Sequence, residues 1–319
     1  MRALRPALLS LALAALAACG NKGAPSGAAA SASVATARPS SSAPPPATPA
    51  TPAATARPSA ATSAQPNPLH LPPVRTNLQV GRRIFTVPEP MLAAARPGST
   101  LVFQAGTVTG IDGDDLVVES RGAPPYRVHP GYVIAVPDEP KLKPGDPVIT
   151  EQNGVMKHGV VTKFIRDRIG VRYTDLEGRA QEALLLGGLG KPIAGAPSKA
   201  ARFVKQIDGL QPGNYAALRQ GEEWAHVLLV SGFGEGDARR WLALGFGGAA
   251  MVVSEGDLAP IPVKLGVKVG TVVWAESGGK MRRAIVQAAD DQGLFTVKFE
   301  RAGRPATVGW GLVMKPVEG

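Results

Sequence analysis

A glycine that opens a β-rich run recurs four times in this chain, and this recurrence limits the fold more than any other feature. The runs are Pro97-Gly98 before Leu101 to Phe103, Pro144-Gly145 before Val148-Ile149, Pro212-Gly213 before Tyr215 to Leu218, and Val269-Gly270 before Val272 to Ala275. A second β-rich run follows each: Thr107 to Ile111, Gly159 to Ile165, Trp224 to Val230 and Arg283 to Ala288. A turn leads to a third: Leu116 to Glu119, Ile169 to Tyr173, Trp241 to Phe246 and Leu294 to Phe299. Tyr132 to Pro137, Asp257 to Pro262 and Gly311 to Pro316 form similar endings, whereas Ala183 to Ile193 matches them poorly. The leading glycines, at 98, 145, 213 and 270, are unequally spaced, which a stacked solenoid does not tolerate. Five short strands in about 45–60 residues instead suit a small closed barrel without exposed edges. The expectation is an all-β chain of four tandem barrels, at 76–140, 141–196, 197–263 and 264–319. Asp112 to Asp115 and Asp290 to Gly293 have the chemistry of hairpin turns; a calcium loop would need further oxygen ligands.

The first 75 residues are different material. They carry Arg2, Arg5, Lys22, Arg38, Arg57 and Arg75 with no Asp or Glu, so over half of the formal charge of +10 lies there. Residues 20–75 are almost wholly Ala, Ser, Thr, Pro and Gly, with Val34, Leu69, Leu71 and Val74 as the large aliphatics. Such a segment cannot bury enough apolar area to offset its chain entropy. It is expected to be a disordered tether, extended by proline to a reach of roughly 170 Å. Ahead of it, Arg2 and Arg5 precede the uncharged run Ala7 to Ala18. As a helix that run spans roughly 18 Å, short of a hydrocarbon core of about 30 Å, so a cleaved export signal is expected. Its end, Leu16-Ala17-Ala18-Cys19, resembles the lipobox of bacterial lipoproteins. The resemblance implies a signal peptide at 1–18, lipidation of Cys19 and a membrane anchor of several acyl chains. Gly20, where retention in the inner membrane would favour aspartate, implies the outer membrane. Cys19 is the single cysteine, which excludes internal disulfides and multi-cysteine metal sites.

Within the barrels, Gly270 to Ala275, Lys280 to Val286 and Val297 to Phe299 resemble a Tudor or Agenet-type SH3-like barrel, as do His158 to Val161 and Val171 to Gly178. That family holds methylated lysine or arginine in an aromatic cage by cation–π attraction. Here the expected cage positions fall on Met281, Arg282, Leu176 and Ala302, leaving Tyr173 and Phe299. The resemblance therefore implies the fold and argues against the methyl-lysine activity.

The second and fourth units hold the basic excess, at +3 and +4 against −2 and −1 for the first and third. Basic side chains interleaved with aromatics can bind polyanions. The candidate ligand residues are Lys163, Arg172, Tyr173, Lys280, Arg282, Arg283, Phe299 and Trp310, the last flanked by Gly309 and Gly311 as a backbone approach would need. The bland alternative is solvated strand faces. An exported lipoprotein rarely meets nucleic acid, so an envelope protein, lipopolysaccharide, a teichoic-type polymer or peptidoglycan is the expected partner. Ser198 to Ile207 is expected as a short helix joining units two and three. His129, His158 and His226 lack a nearby Ser/Asp pattern, and Gly232 to Gly236 lacks a phosphate-reaching lysine. No cofactor motif or catalytic constellation emerges. The expected function is a non-enzymatic, membrane-anchored envelope lipoprotein that presents barrels as a binding surface. The alternatives are a peptidoglycan-binding or wall-processing accessory factor, and an enzyme with a site between barrels.

Overall fold

The computed structural model describes residues 65–120, 122–176, 181–187, 201–300 and 304–317. The expected export signal, Cys19 and the expected tether as far as residue 64 lie outside the described residues. Among the described residues the chain is all-β apart from one short helix and single 3-10 turns, and forms four tandem SH3-like barrels of five antiparallel strands each. Unit one comprises β1 (Arg83–Thr86), β2 (Gln104–Asp112), β3 (Asp115–Ser120), β4 (Tyr126–Val128) and β5 (Val133–Ala135), with a helix α1 (Glu89–Ala93) between β1 and β2. Unit two comprises β6 (Pro147–Gln152), β7 (Val155–Ile165), β8 (Arg168–Tyr173), β9 (Glu182–Leu186) and β10 (Val204–Lys205). Unit three comprises β11 (Tyr215–Gln220), β12 (Glu223–Phe233), β13 (Arg240–Leu244), β14 (Ala250–Ser254) and β15 (Leu258–Pro260). Unit four comprises β16 (Val272–Ser277), β17 (Lys280–Ala289), β18 (Leu294–Phe299), β19 (Ala306–Gly309) and β20 (Val313–Met314). In each unit the fifth strand returns to pair with the first, and strands one to four form a meander.

One backbone device opens every unit. Gly81, Gly145, Gly213 and Gly270 sit at φ of +83° to +88°, the third position of a type II turn, where a Cβ would be strained. The turn closes as Arg82, Asp146, Asn214 and Thr271 donate to the carbonyl three residues back. Each glycine N–H then donates to a strand-two carbonyl, of Val108, Val161, Leu229 and Val286 in turn. Strand two bulges just beyond each of those residues. A bulge adds a residue to one strand and sharpens its bend, which lets one long strand wrap a narrow barrel.

Three expectations need correction. In unit one the leading glycine is Gly81, not Gly98, and Leu101 to Phe103 is not a strand. Arg96 to Ser99 makes the same type of turn, but Gly98 donates to Ala250 and Leu101 to Gly248, so this insert clasps unit three instead of opening a barrel. The helix expected over Ser198 to Ile207 is absent from its described part, residues 201–207. Val204 and Lys205 instead pair with Ile149 and Val148, so the strand closing unit two lies beyond residue 196. Residues 65–75, expected to belong to the tether, are part of the fold. Leu71 is buried, and Leu69 and Val74 pack against the core of unit one.

That arm is held by polar contacts as well. Asn67 accepts from the Leu71 N–H and donates to the Leu71 carbonyl, both at 2.8 Å, and Leu69 N donates to the Tyr132 hydroxyl at 3.0 Å. Asn67→Ala removes two bonds worth about 1 kcal/mol each. Hydrogen exchange is expected to accelerate at Leu71 while the β2 amides keep their protection; equal acceleration at both would show that the arm is not a separate element.

The units join in pairs, as the marginal stability of an isolated small barrel leads one to expect. Gln104 pairs with Val155 to merge units one and two into a ten-stranded sheet, and Ala225 pairs with Lys280 to merge units three and four. Measured from the bulges, the two joints have the same register, and the same bond closes each: Ala105 N to Gly154 O and His226 N to Gly279 O. A second contact system crosses these pairs. The largest core joins Phe85, Leu101 and Phe103 of unit one to Val230, Phe233 and Leu242 of unit three.

Candidate functional site

The basic residues singled out in the sequence do not form one surface. Arg172 leaves unit two to bond Asp290 of unit four at 2.9 Å and bonds Glu182 at 3.0 Å on its own unit. Lys280 pairs with Glu223 of unit three at 2.5 Å, and Arg283 with Glu300 at 3.1 Å. These pairs are largely exposed and contribute at most about 1 kcal/mol each, yet they cancel the charge a polyanion would read. Lys163 and Arg282 are exposed on β7 and β17 and make no ion pair within 4 Å among the described residues, though Arg282 acts on the charge of Glu223 from further off. Phe299 is half-buried against the unit-four core. Tyr173 is fully buried, donates to the Glu151 carbonyl at 2.8 Å, and is pushed up to about 12 by desolvation. Trp310 is 6 % exposed. Neither Tyr173 nor Trp310 offers a ligand platform, because both are consumed by packing.

Trp310 marks instead the junction of units two, three and four. The glycines beside it do serve close approach, but of other units. A Cβ on Gly309 would lie 2.3 Å from the Thr174 carbonyl oxygen, and one on Gly311 2.7 Å from the Tyr215 ring. Lys264 places its ammonium 5.1 Å from the Trp310 ring centre. Beside them three rings stack, His158 on Tyr215 at 4.2 Å and Tyr215 on His226 at 4.5 Å between centroids. His158 donates from Nε2 to the Gly213 carbonyl at 2.7 Å, and its Nδ1 lies 2.9 Å from the Tyr215 hydroxyl and 3.6 Å from the Asp175 carboxylate. His226 donates from Nε2 to the Gly311 carbonyl at 3.0 Å. Desolvation raises Tyr215 well above its ordinary value and lowers His226. The cavity left here is about 10 Å³, room for one water. The ladder packs units two, three and four together and faces no space large enough for a substrate.

The space that can take a ligand lies elsewhere. An open groove of about 400 Å³ is walled by units one, two and three and by the arm, a size within the range of ligand sites. Unit one contributes Val133 to Ala135, unit two Ile149 and the β10 segment, unit three Val230 to Gly232. Ser231 fixes one wall by donating to the Gly131 carbonyl at 2.7 Å across the unit boundary. Asn214 fixes another, donating to the carbonyls of Ile207 and Gly209 at 2.7 and 2.9 Å. Arg75 and Lys205 are the charged residues of the lining, which contains no carboxylate. Ile207 is 60 % exposed at its edge. These residues escaped sequence reasoning because Arg75 was assigned to the tether and Lys205 and Ile207 to a helix. No local strand signal marks them, since β10 is only Val204–Lys205 and residues 201–203 ahead of it are not strand.

Comparison with known proteins adds little. No family model matches the chain, and no curated protein matches it. Among solved structures, it is similar to the four MBT repeats of Drosophila melanogaster Sfmbt, crystallised in complex with the peptide RHR(me)K VLR. The identity is 9 % and the TM-score 0.15, with 74 % of this chain and 88 % of that one covered.

Proposed function

We propose that the chain is a lipid-anchored, non-enzymatic protein of the bacterial envelope whose folded part captures a protein partner in the three-unit groove. The observation that carries the binding reading is the groove itself, whose walls come from three separate barrels and the arm. Three barrels and the arm, held against one another, build this concavity together. The basic strand faces support the reading less, since Arg172, Lys280 and Arg283 are spent on ion pairs. The anchor rests on the lipobox at Leu16 to Cys19, and the expected location is the outer membrane.

A photo-crosslinking amino acid placed at Gln211, on the exposed groove edge, or at Arg282, on the face of unit four, tests this in intact cells. Crosslinks to a protein from Gln211 and none from Arg282 are expected. Crosslinks from Arg282 alone would restore the basic-face reading, and silence at both would remove the groove. In the same cells Cys19→Ser is expected to leave the membrane fraction; its retention there would overturn the anchor.

A further inference from the structure

The groove has a feature that specifies its occupant. Strands β5 and β10 are the two ends of the strand path in the first ten-stranded sheet, and both line the groove. In an antiparallel ladder alternate residues turn their main-chain groups toward the neighbouring strand and the others turn away. Val136 N donates to Arg83 O, and Gln206 N to Pro147 O. That phase turns the main-chain groups of Ala135 away from β1 and those of Lys205 away from β6. Both residues are exposed. Two sheet edges thus border one concavity, and an exposed edge is a template for a further strand.

Charge and composition choose among occupants. The Lys205 ammonium lies 2.9 Å from the Asp146 carboxylate, whereas Arg75 has no ionic partner among the described residues. The groove therefore carries a surplus positive charge over an apolar floor that includes Ile134, Ile149 and Val230. The chain's own tether is a poor match: it brings Lys22, Arg38 and Arg57 without a carboxylate, and its prolines lack the N–H a ladder needs. A second copy, without Arg2 and Arg5 of the cleaved segment, would bring a further net charge of about +8. We propose that an extended, acidic segment of a partner protein adds as a strand in this groove, along β5 or β10, with a carboxylate on Arg75. This inference rests on the groove being the binding surface proposed above.

The test uses the lipidated full chain in detergent and three fluorescent octapeptides. One alternates valine and threonine with two glutamates, one has lysines for the glutamates, and one repeats the first with alternate backbone nitrogens methylated. The acidic peptide is expected to bind, and lysine exchange and N-methylation are each expected to weaken it by about tenfold or more, about 1.4 kcal/mol. Arg75→Glu, at an exposed position, is expected to reverse the preference between the acidic and lysine peptides. Equal affinity for all three, equal competition by inorganic polyphosphate, or a concentration-dependent dimer that excludes the peptides would overturn strand addition. So would silence of the acidic peptide. If Gln211 still crosslinks a protein in cells, the groove reading survives that loss; if it does not, both fall.

Discussion

Replacing Gly309 by valine is expected to lower the melting midpoint by about 10 °C and to expose the junction of units two, three and four. The Cβ alone would lie 2.3 Å from the Thr174 carbonyl oxygen and 2.4 Å from the Thr174 Cβ. Both contacts are to rigid parts of a neighbouring unit, so relief requires the units to separate. Overpacking of this kind costs up to about 3 kcal/mol or more, and each kcal/mol moves the midpoint of a chain this size by about 2–4 °C. Gly266→Ala is the matched control, because nothing lies within 4 Å of a Cβ there and its φ is not in the left-handed region. It is expected to be neutral or slightly stabilising, through the entropy of the unfolded chain. Calorimetry on both variants decides the matter: similar midpoints would mean that the close approach at Gly309 is not needed.

Acid is expected to loosen the same junction. Desolvation holds His226 below its ordinary value, with His158 adding to the depression and the Gly311 carbonyl and Glu276 opposing it. His129 is lowered by burial against the pull of Asp115 and Asp114. Between the folded and unfolded values the unfolded chain binds more protons, so stability is complete above about pH 6.5 and falls as pH falls. The slope contributed by each such histidine is at most about 1.4 kcal/mol per pH unit. Urea unfolding from pH 7.5 to 5 measures it. His226→Gln retains a donor for Gly311 but cannot titrate, and is expected to flatten the curve. If it follows the unmodified protein throughout, the ladder is not the acid-sensitive element.

The barrels were legible where local chemistry and strand pairing coincide. The second and third runs of every unit became β2, β3, β7, β8, β12, β13, β17 and β18, because their β-branched and apolar residues alternate across a half-buried surface. The Asp290 turn was equally readable: its carboxylate accepts from Gln292 and Leu294 N–H. Where the reading failed, the same local signal served a different partner. Pro97-Gly98 makes the turn its residues specify, but bonds to Ala250 of another unit, which no local pattern encodes. Val204 and Lys205 form a strand because β6 lies beside them, not because two residues can specify one. Leu71 belongs to a sequence too poor in apolar residues to fold alone, and it orders on a core built by others. The groove was invisible for the same reason, since its walls are assembled from segments up to about 160 residues apart. Trp310 shows the reverse case: the reason given for its flanking glycines was sound, but the approaching backbone belonged to unit two rather than to a ligand.

The core shared by units one and three also sets an order of assembly. A chain released from its N-terminus presents Phe85, Leu101 and Phe103 first, while Val230, Phe233 and Leu242 follow more than 100 residues later. Unit one cannot finish burying its apolar face when its own last strand arrives, and unit two does not complete it. Contacts over such separations slow folding and leave apolar surface exposed in the interval. The core of the first half is thus completed only by the second, so a chain interrupted after unit two is expected to leave Phe85, Leu101 and Phe103 less buried than the full chain does.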